Sequence, residues 1–364
     1  MFFKASLMKR IIFDNVIFYW QRSGGISVVW YELISRFLKE GLDVSFIDYE
    51  NSSDNPFRKR LEIPSYSILK QYPVRWMKLL RYFPVAVKSD EPFIFHSTYY
   101  RLCSNRKAIN VVTVHDFTYE YFSKGLSRQV HCQSKHNAIR NADHVICISE
   151  NTKKDLLKFV RSVDEKKISV IYNGVGDAFK TLEPCRRYTD TDEKYLVFIG
   201  VRGGYKNFRM AVEAAKHVGM RLVIVGRKLS EEEKTFVTGM LGDNYDDLGF
   251  VEDEQLNLIY NKAFALVYPS SYEGFGIPVI EAQKAGCPVV AMNRSSIPEI
   301  IGNRELLADN EDSREFADKI RLLLDADCRK RIVSDGLTNS ERFSWDNTYR
   351  QYKDLYSVIS DAKR

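Results

Sequence analysis

The chain has 364 residues, of which 45% are apolar and 28% charged, with a formal net charge of +6. That length exceeds a usual single core and predicts two domains, and the composition is that of a globular protein rather than a disordered or fibrous one. The mild positive charge permits contact with an anionic surface or with phosphorylated ligands, but no nucleic-acid-binding motif accompanies it, so nucleic acid is not an expected partner.

The six cysteines, Cys103, Cys132, Cys147, Cys185, Cys287 and Cys328, are scattered without a C-x-x-C pair. They read as reduced core residues, not as a disulfide framework or a zinc site. The opening MFFKASLMKR is too short and interrupted for a signal-peptide core, and no apolar run reaches the length of a membrane span. The expected location is the cytoplasm.

In chain order, Arg10 to Ile17 reads as the first strand. A loop, Phe18 to Ser23, leads to Gly24-Gly25, and Ile26 to Glu40 carries apolar residues at helical spacing until Gly41 stops it. Val44 to Tyr49 is the next strand. Residues 58–88 set Arg58, Lys59, Arg60, Lys70, Arg75, Lys78, Arg81 and Lys88 against a single acid, Glu62, and interleave them with Trp76, Leu79, Leu80, Tyr82 and Phe83. Such a basic, aromatic stretch suits either the surface of an anionic membrane or an ordinary helix with a solvated basic face.

Phe93 to Ser97 and Asn110 to His115 read as buried parallel strands whose polar ends, HSTYYR and HDFTYE, lie where open α/β sheets bind ligands. His131 to Arg140 reads as a polar helix. The five-residue spacing of His131 and His136 keeps them off a common helical face, which argues against a metal site. A strand, Asp143 to Ile148, precedes a helix with Ser149 at its N-cap, and Ile168 to Tyr172 is the last strand before a polar connector, Asp177 to Glu193. The second half opens with the strand Tyr195 to Val201, followed by Arg202-Gly203-Gly204-Tyr205-Lys206-Asn207 and a helix from about Phe208.

The stretch from Ala263 to Met292 reads as strand, glycine loop, helix and strand, with Pro278 at a first helical turn and Gly286 as a stop. Gly274 and Gly276 let a ligand approach the backbone at a helix start, where the dipole favours an anion such as phosphate. Glu273 and Glu281 flank that place. A carboxylate accepts from neighbouring hydroxyls, so two acids around a phosphate cradle suit a nucleotide-sugar.

The run SSYEGFGIPVIEAQKAGCPVVA, with Glu273 and Glu281 as its E-x7-E pair, resembles the signature of the retaining glycosyltransferase family 4. The resemblance covers nearly the whole chain and implies an α/β GT-B fold, two doubly wound Rossmann-like domains facing across a cleft. The expected boundaries are 1–180 for the acceptor-side domain, with the helix 345–364 packing back on it, and 181–344 for the nucleotide-sugar-binding domain. In this resemblance Glu273 and the backbone of Gly274, Phe275 and Gly276 meet the transferred sugar and the diphosphate, and Glu281 holds the ribose. Arg202 and Lys206 match the cations that clamp the diphosphate, and Gly24 and Gly25 match a turn that approaches the donor phosphates or the acceptor. VTVHDF resembles a motif whose histidine, here His115, lies beside the donor sugar, with Asp116 to orient it. Phe250 and Val251 fall in the segment that meets the nucleobase.

Asp190-Thr191-Asp192 imitates the D-x-D metal motif of the other glycosyltransferase fold, but it sits in a charged connector and not at the end of a buried strand. No metal or cofactor is expected. QRSGGIS, VTVHDF, ICISENTKKDL and GVRGGYKNF most resemble the bacterial branch that includes O-antigen mannosyltransferases. The implied reaction is transfer of a hexose, with GDP-mannose as the leading donor, to a hydroxyl of a lipid-linked or growing glycan. A lipid-linked acceptor would account for a peripheral inner-membrane contact through residues 58–88. The alternatives are a nucleotide-sugar epimerase or hydrolase of the same shape, and a nucleotide-sugar-binding scaffold without turnover.

Overall fold

A computed structural model describes residues 8–21, 24–73, 82–182 and 194–362. The chain divides into two compact units, Met1–Asn173 with Trp345–Arg364, and Gly174–Ser344.

The first unit is built on seven strands: β1 (Ile11–Asp14), β2 (Val44–Tyr49), β3 (Ile68–Tyr72), β4 (Phe93–Ser97), β5 (Ala108–Val114), β6 (His144–Cys147) and β7 (Ile168–Val170). Their order is β3-β2-β1-β4-β5-β6-β7, and every pairing is parallel. β1, β2, β4 and β6 are buried along their whole length, which is why they read as continuous apolar runs instead of alternating ones. The edge strand β3 differs. Its ILKQY sequence is largely exposed, and its hydropathy does not announce a strand.

The C-terminal helix, Trp345–Ala362, belongs to this unit. Trp345, Tyr352 and Tyr356 enter the core formed by Phe13, Trp30, Phe37 and Phe46. The Tyr356 hydroxyl lies 2.6 Å from His96 Nδ1, while Thr113 Oγ1 lies 3.0 Å from His96 Nε2 and 3.1 Å from the Tyr352 hydroxyl. Burial pushes His96 well below its ordinary pKa, so this ring is a neutral part of the core.

The first strand is shorter than expected. It ends at Asp14, and Val16–Trp20 turn into a helix whose Ile17 N–H donates to Thr98 Oγ1 at 2.9 Å. An unbroken apolar run is equally compatible with a buried strand and a buried helical turn, and here the Thr98 hydroxyl satisfies an early helical amide.

The second unit has six parallel strands: β8 (Tyr195–Ile199), β9 (Arg221–Val225), β10 (Tyr245–Gly249), β11 (Ala265–Tyr268), β12 (Val289–Met292) and β13 (Leu307–Ala308). Their order is β10-β9-β8-β11-β12-β13. This unit begins at Gly174 rather than at 181. Val175 bridges to Ser344, Phe179 is buried beside Tyr260 at a ring separation of 6.2 Å, and the Lys180 N–H donates to Asn257 Oδ1 at 3.0 Å. The contacts of Phe179 and Lys180 draw the start of the expected connector, 177–182, into the second core.

Each sheet has a switch point where the strand order reverses, beside β1 and β4 in one and beside β8 and β11 in the other. The carboxyl ends of strands at such a point are where doubly wound sheets hold ligands.

Candidate functional site

In the second unit the loops that leave β8 and β11 are fastened to each other. Asn207, in a left-handed conformation at φ 48°, donates from Nδ2 to the Pro269 carbonyl at 3.0 Å and to Ser271 Oγ at 2.7 Å. The Ser271 N–H donates in return to the Tyr205 carbonyl at 2.8 Å. This holds Lys206 against Glu273, with Nζ 2.5 Å from Oε1 and both side chains largely buried. Tyr268 completes the group, for its ring lies 5.5 Å from Lys206 Nζ and its hydroxyl meets Glu273. From the other side the Glu273 N–H donates to Ser295 Oγ at 2.8 Å, and Ser296 Oγ donates to the carbonyls of Glu273 and Phe275.

The glycine loop then enters the helix Ile277–Lys284 through Gly276, at φ 103°, with Pro278 in the first turn. A Cβ on Gly276 would fall 2.8 Å from Ile297 Cδ1 and 3.0 Å from Ile300 Cδ1. Replacing Gly276 by alanine therefore combines backbone strain with a clash and is expected to cost about 1–3 kcal/mol of stability, read from urea midpoints. Phe275 is buried against Phe343 with ring centroids 5.8 Å apart, so it can offer a ligand only its backbone.

Glu281 lies in the second turn of this helix. Burial, assisted by the negative charge of Asp253, pushes its carboxyl up to about 8. The folded chain thus keeps a proton that the unfolded chain releases near the ordinary value of 4.5. Its contribution to stability is fully present below pH 4.5, falls as the pH rises, and is lost beyond about 8. Each unit of difference is worth about 1.4 kcal/mol. Glu281→Gln should flatten the decline of the urea midpoint across that window. An unchanged pH profile would contradict the assignment.

Arg202 is paired within the second unit. Its side chain is buried, donating from Nε to Glu233 Oε1 at 2.9 Å, from Nη2 to Glu233 Oε2 at 3.1 Å, and to the carbonyls of Arg227 and Lys228 at 2.6 and 2.8 Å. Glu233 is also the partner of Ser230 in the capping box of the helix Glu231–Leu241, and Arg202 holds its carboxyl down at about 2. In this structure Arg202 ties the β8 loop to the β9 loop, and Lys206 is the cation beside Glu273. Phe250, strongly exposed, and Val251 follow β10, two strands away from β8.

In the first unit His115 follows β5 and is buried, and among the described residues its Nε2 has no hydrogen-bond partner. Burial lowers its pKa to about 4 against the opposing charge of Asp116, so the ring is neutral at physiological pH. Asp116 accepts the Thr118 N–H at 2.8 Å through Oδ1, just ahead of the helix Thr118–Phe122. Gly24 is extended at φ 171°, but a Cβ there would meet Gln21 Oε1 at 2.8 Å, whereas a Cβ on Gly25 would enter open space at the start of the helix Gly25–Lys39.

One polar cluster escaped sequence reading. Asp14, at the end of β1, is fully buried and accepts from Tyr49, from Ser97 Oγ at 3.0 Å and from Arg101 Nη1 at 3.3 Å. The signal was an acid closing the apolar run IIFD.

Among the described residues no group of three His, Cys, Asp or Glu side chains is arranged to hold a metal ion. His136 and Lys135 are instead paired with buried Glu120 at 3.0 and 2.6 Å. Of the basic segment, Arg58 is paired with Asp48, while Arg75, Trp76, Lys78, Leu79, Leu80 and Arg81 lie outside the described residues, as do Cys185 and Asp190-Thr191-Asp192. No described helix is long and apolar enough to cross a membrane.

Residues 186–336 match the family model "Glycosyl transferases group 1", and residues 23–179 match "Glycosyltransferase Family 4". The chain is 26% identical over 349 residues to the O-antigen chain mannosyltransferase B of Escherichia coli, covering 86% of this chain and 89% of the relative. It is 32% identical over 179 residues to the O-antigen chain mannosyltransferase RfbU of Salmonella typhimurium, covering 47% and 48%. Among solved structures, the sucrose-phosphate synthase of Thermosynechococcus elongatus superposes with a TM-score of 0.74 at 18% identity, over 97% of this chain and 100% of that one. Anabaena HepE, solved in complex with UDP, also superposes at 0.74 and 18% identity, over 96% and 100%. With one family model matched in each half and two parallel α/β units, the chain belongs to the family 4, group 1 glycosyltransferases of GT-B fold.

Proposed function

We propose that this glycosyltransferase moves mannose from GDP-mannose to a hydroxyl of a lipid-linked or growing cell-surface glycan, with retention at the anomeric carbon and without a metal. The observation that carries the reading is the Lys206–Glu273 pair, held by two stapled loops at the start of a helix. A donor diphosphate competes for Lys206 and for the backbone of the glycine loop, which releases Glu273 to accept from a hydroxyl of the sugar. As the bond between the anomeric carbon and the phosphate oxygen breaks, negative charge grows on the diphosphate, and the lysine and helix start stabilise it. The acceptor hydroxyl forms the new bond and its proton leaves with the diphosphate. Glu281 holds the ribose, and neutral His115 offers its ring nitrogen to a sugar hydroxyl. Mannose is favoured by the names of the relatives at 26% and 32% identity.

The test is GDP release from GDP-mannose with and without a glycan acceptor, with the anomeric configuration of the product read by NMR. Release that requires acceptor and yields an α-linkage supports transfer with retention. Equal release without acceptor would make the protein a hydrolase, and recovery of an epimerised donor would make it an epimerase. A peripheral membrane contact through residues 58–88 belongs to the same proposal. Neutralising Arg75, Lys78 and Arg81 together should release the protein from anionic vesicles, and unchanged binding would remove the membrane contact from it.

A further inference from the structure

The first unit has a cavity of about 610 Å3 formed where the chain leaves β1 and β2. Its lining contains the aromatic run Phe18, Tyr19 and Trp20 on one side and Asn51, Asp54 and Asn55 on the other. Phe18 is buried in the core beneath, while Tyr19 and Trp20 are only partly covered and meet edge to face at 5.2 Å. The opposite wall is polar. Asn55 is fixed, donating from Nδ2 to the Gln21 carbonyl at 2.6 Å and to Ser27 Oγ at 3.0 Å, whereas Asn51 and Asp54 are exposed.

The chemistry of this lining is selective. An aromatic corner of two perpendicular rings offers one ring face to a flat apolar surface, and the amides and carboxylate opposite take hydroxyls at its rim. Among the described residues no Lys, Arg or His lines the cavity, and Asp54 contributes negative charge, which disfavours a phosphate beside it. A pyranose ring has that combination of an apolar C–H face, a rim of hydroxyls and no charge. The position also fits, at the carboxyl ends of two neighbouring parallel strands.

We propose that this cavity is a subsite for a neutral pyranose of the acceptor glycan, stacked on one of the two perpendicular rings of Tyr19 and Trp20, against the edge of the other, and hydrogen-bonded by Asn51 and Asp54. The inference rests on the glycosyltransferase reading and adds to it a place and a chemical class for the acceptor. It requires a neutral sugar unit in the acceptor, next to or at the hydroxyl that is extended.

Saturation-transfer NMR tests it, with α-linked mannotriose and maltotriose as probes at millimolar concentration. Transfer to the ring C–H protons of one of the two is expected, weakened about tenfold by Trp20→Ala and by Asp54→Ala, the loss that follows removal of one good contact. Because Trp20 is partly buried, the exposed Asp54→Ala decides the question if the tryptophan variant does not fold. No transfer to either trisaccharide, equal transfer in Asp54→Ala, or displacement of the sugar by GMP would overturn the subsite. The rise in unfolding temperature with nucleotides, measured on the same samples, should be unaffected by either substitution. Its absence in the unaltered protein would fail the donor assignment, while the subsite is judged by the NMR alone.

Discussion

Replacing Lys206 with alanine is expected to lower the rate of sugar transfer about 10²- to 10³-fold, the loss that follows removal of one group stabilising negative charge in a transition state. The variant should fold, because the stapling of the two loops depends on Asn207 and Ser271 and on backbone groups, none of which involves the lysine side chain. Glu273→Ala should show a loss of similar size. Since each residue is the other's partner at 2.5 Å, the double variant should fall little further than either single one. Steady-state kinetics with a saturating donor read the effect. Two fully additive losses would show that the pair does not act as a unit.

The second large effect concerns stability. Asp14→Ala is expected to cost about 3–5 kcal/mol, because it leaves the Arg101 guanidinium buried without its counter-charge. Both side chains are almost completely inaccessible, and the Tyr49 hydroxyl is hydrogen-bonded to each of them. Burial and the neighbouring Asp14 push that hydroxyl well above its ordinary pKa, so it stays a protonated donor. Substituting both charged partners, as Asp14→Asn with Arg101→Met, should recover most of the loss, since no charge is then left buried without its partner and the amide oxygen can still accept from Tyr49 and Ser97. Guanidinium titrations of the three proteins distinguish the outcomes.

Much of the fold was legible because parallel strands buried on both faces leave apolar runs in the sequence, as in β1, β4, β8 and β11. β3 was not, since an edge strand with an exposed ILKQY sequence carries no such signal, and residues 58–88 were read instead for their charge. The start of the connector, 177–182, carries no such signal because its anchors, Asn257 and Tyr260, are distant in sequence. The candidate site shows the same limit. Gly276 and Glu281 could be placed from the residues themselves, since a glycine before a helix with Pro278 in its first turn is a local pattern. The Lys206–Glu273 contact joins positions 67 apart, and only the family resemblance brought them into one site. The Arg202–Glu233 pair is hidden from the sequence for a related reason: Glu233 is readable as part of a capping box, but its second role as the arginine's partner depends on how the β8 and β9 loops meet.

The most direct test of the central claim is thermal unfolding with GDP, UDP, ADP and dTDP, each run beside Glu281→Ala. A nucleotide at a hundred times its Kd stabilises the folded state by about 2.7 kcal/mol, a readily visible rise in midpoint. The predicted result is a rise with GDP that disappears in the variant. No rise with any of the four nucleotides would contradict the donor site proposed around Lys206, Glu273 and Glu281.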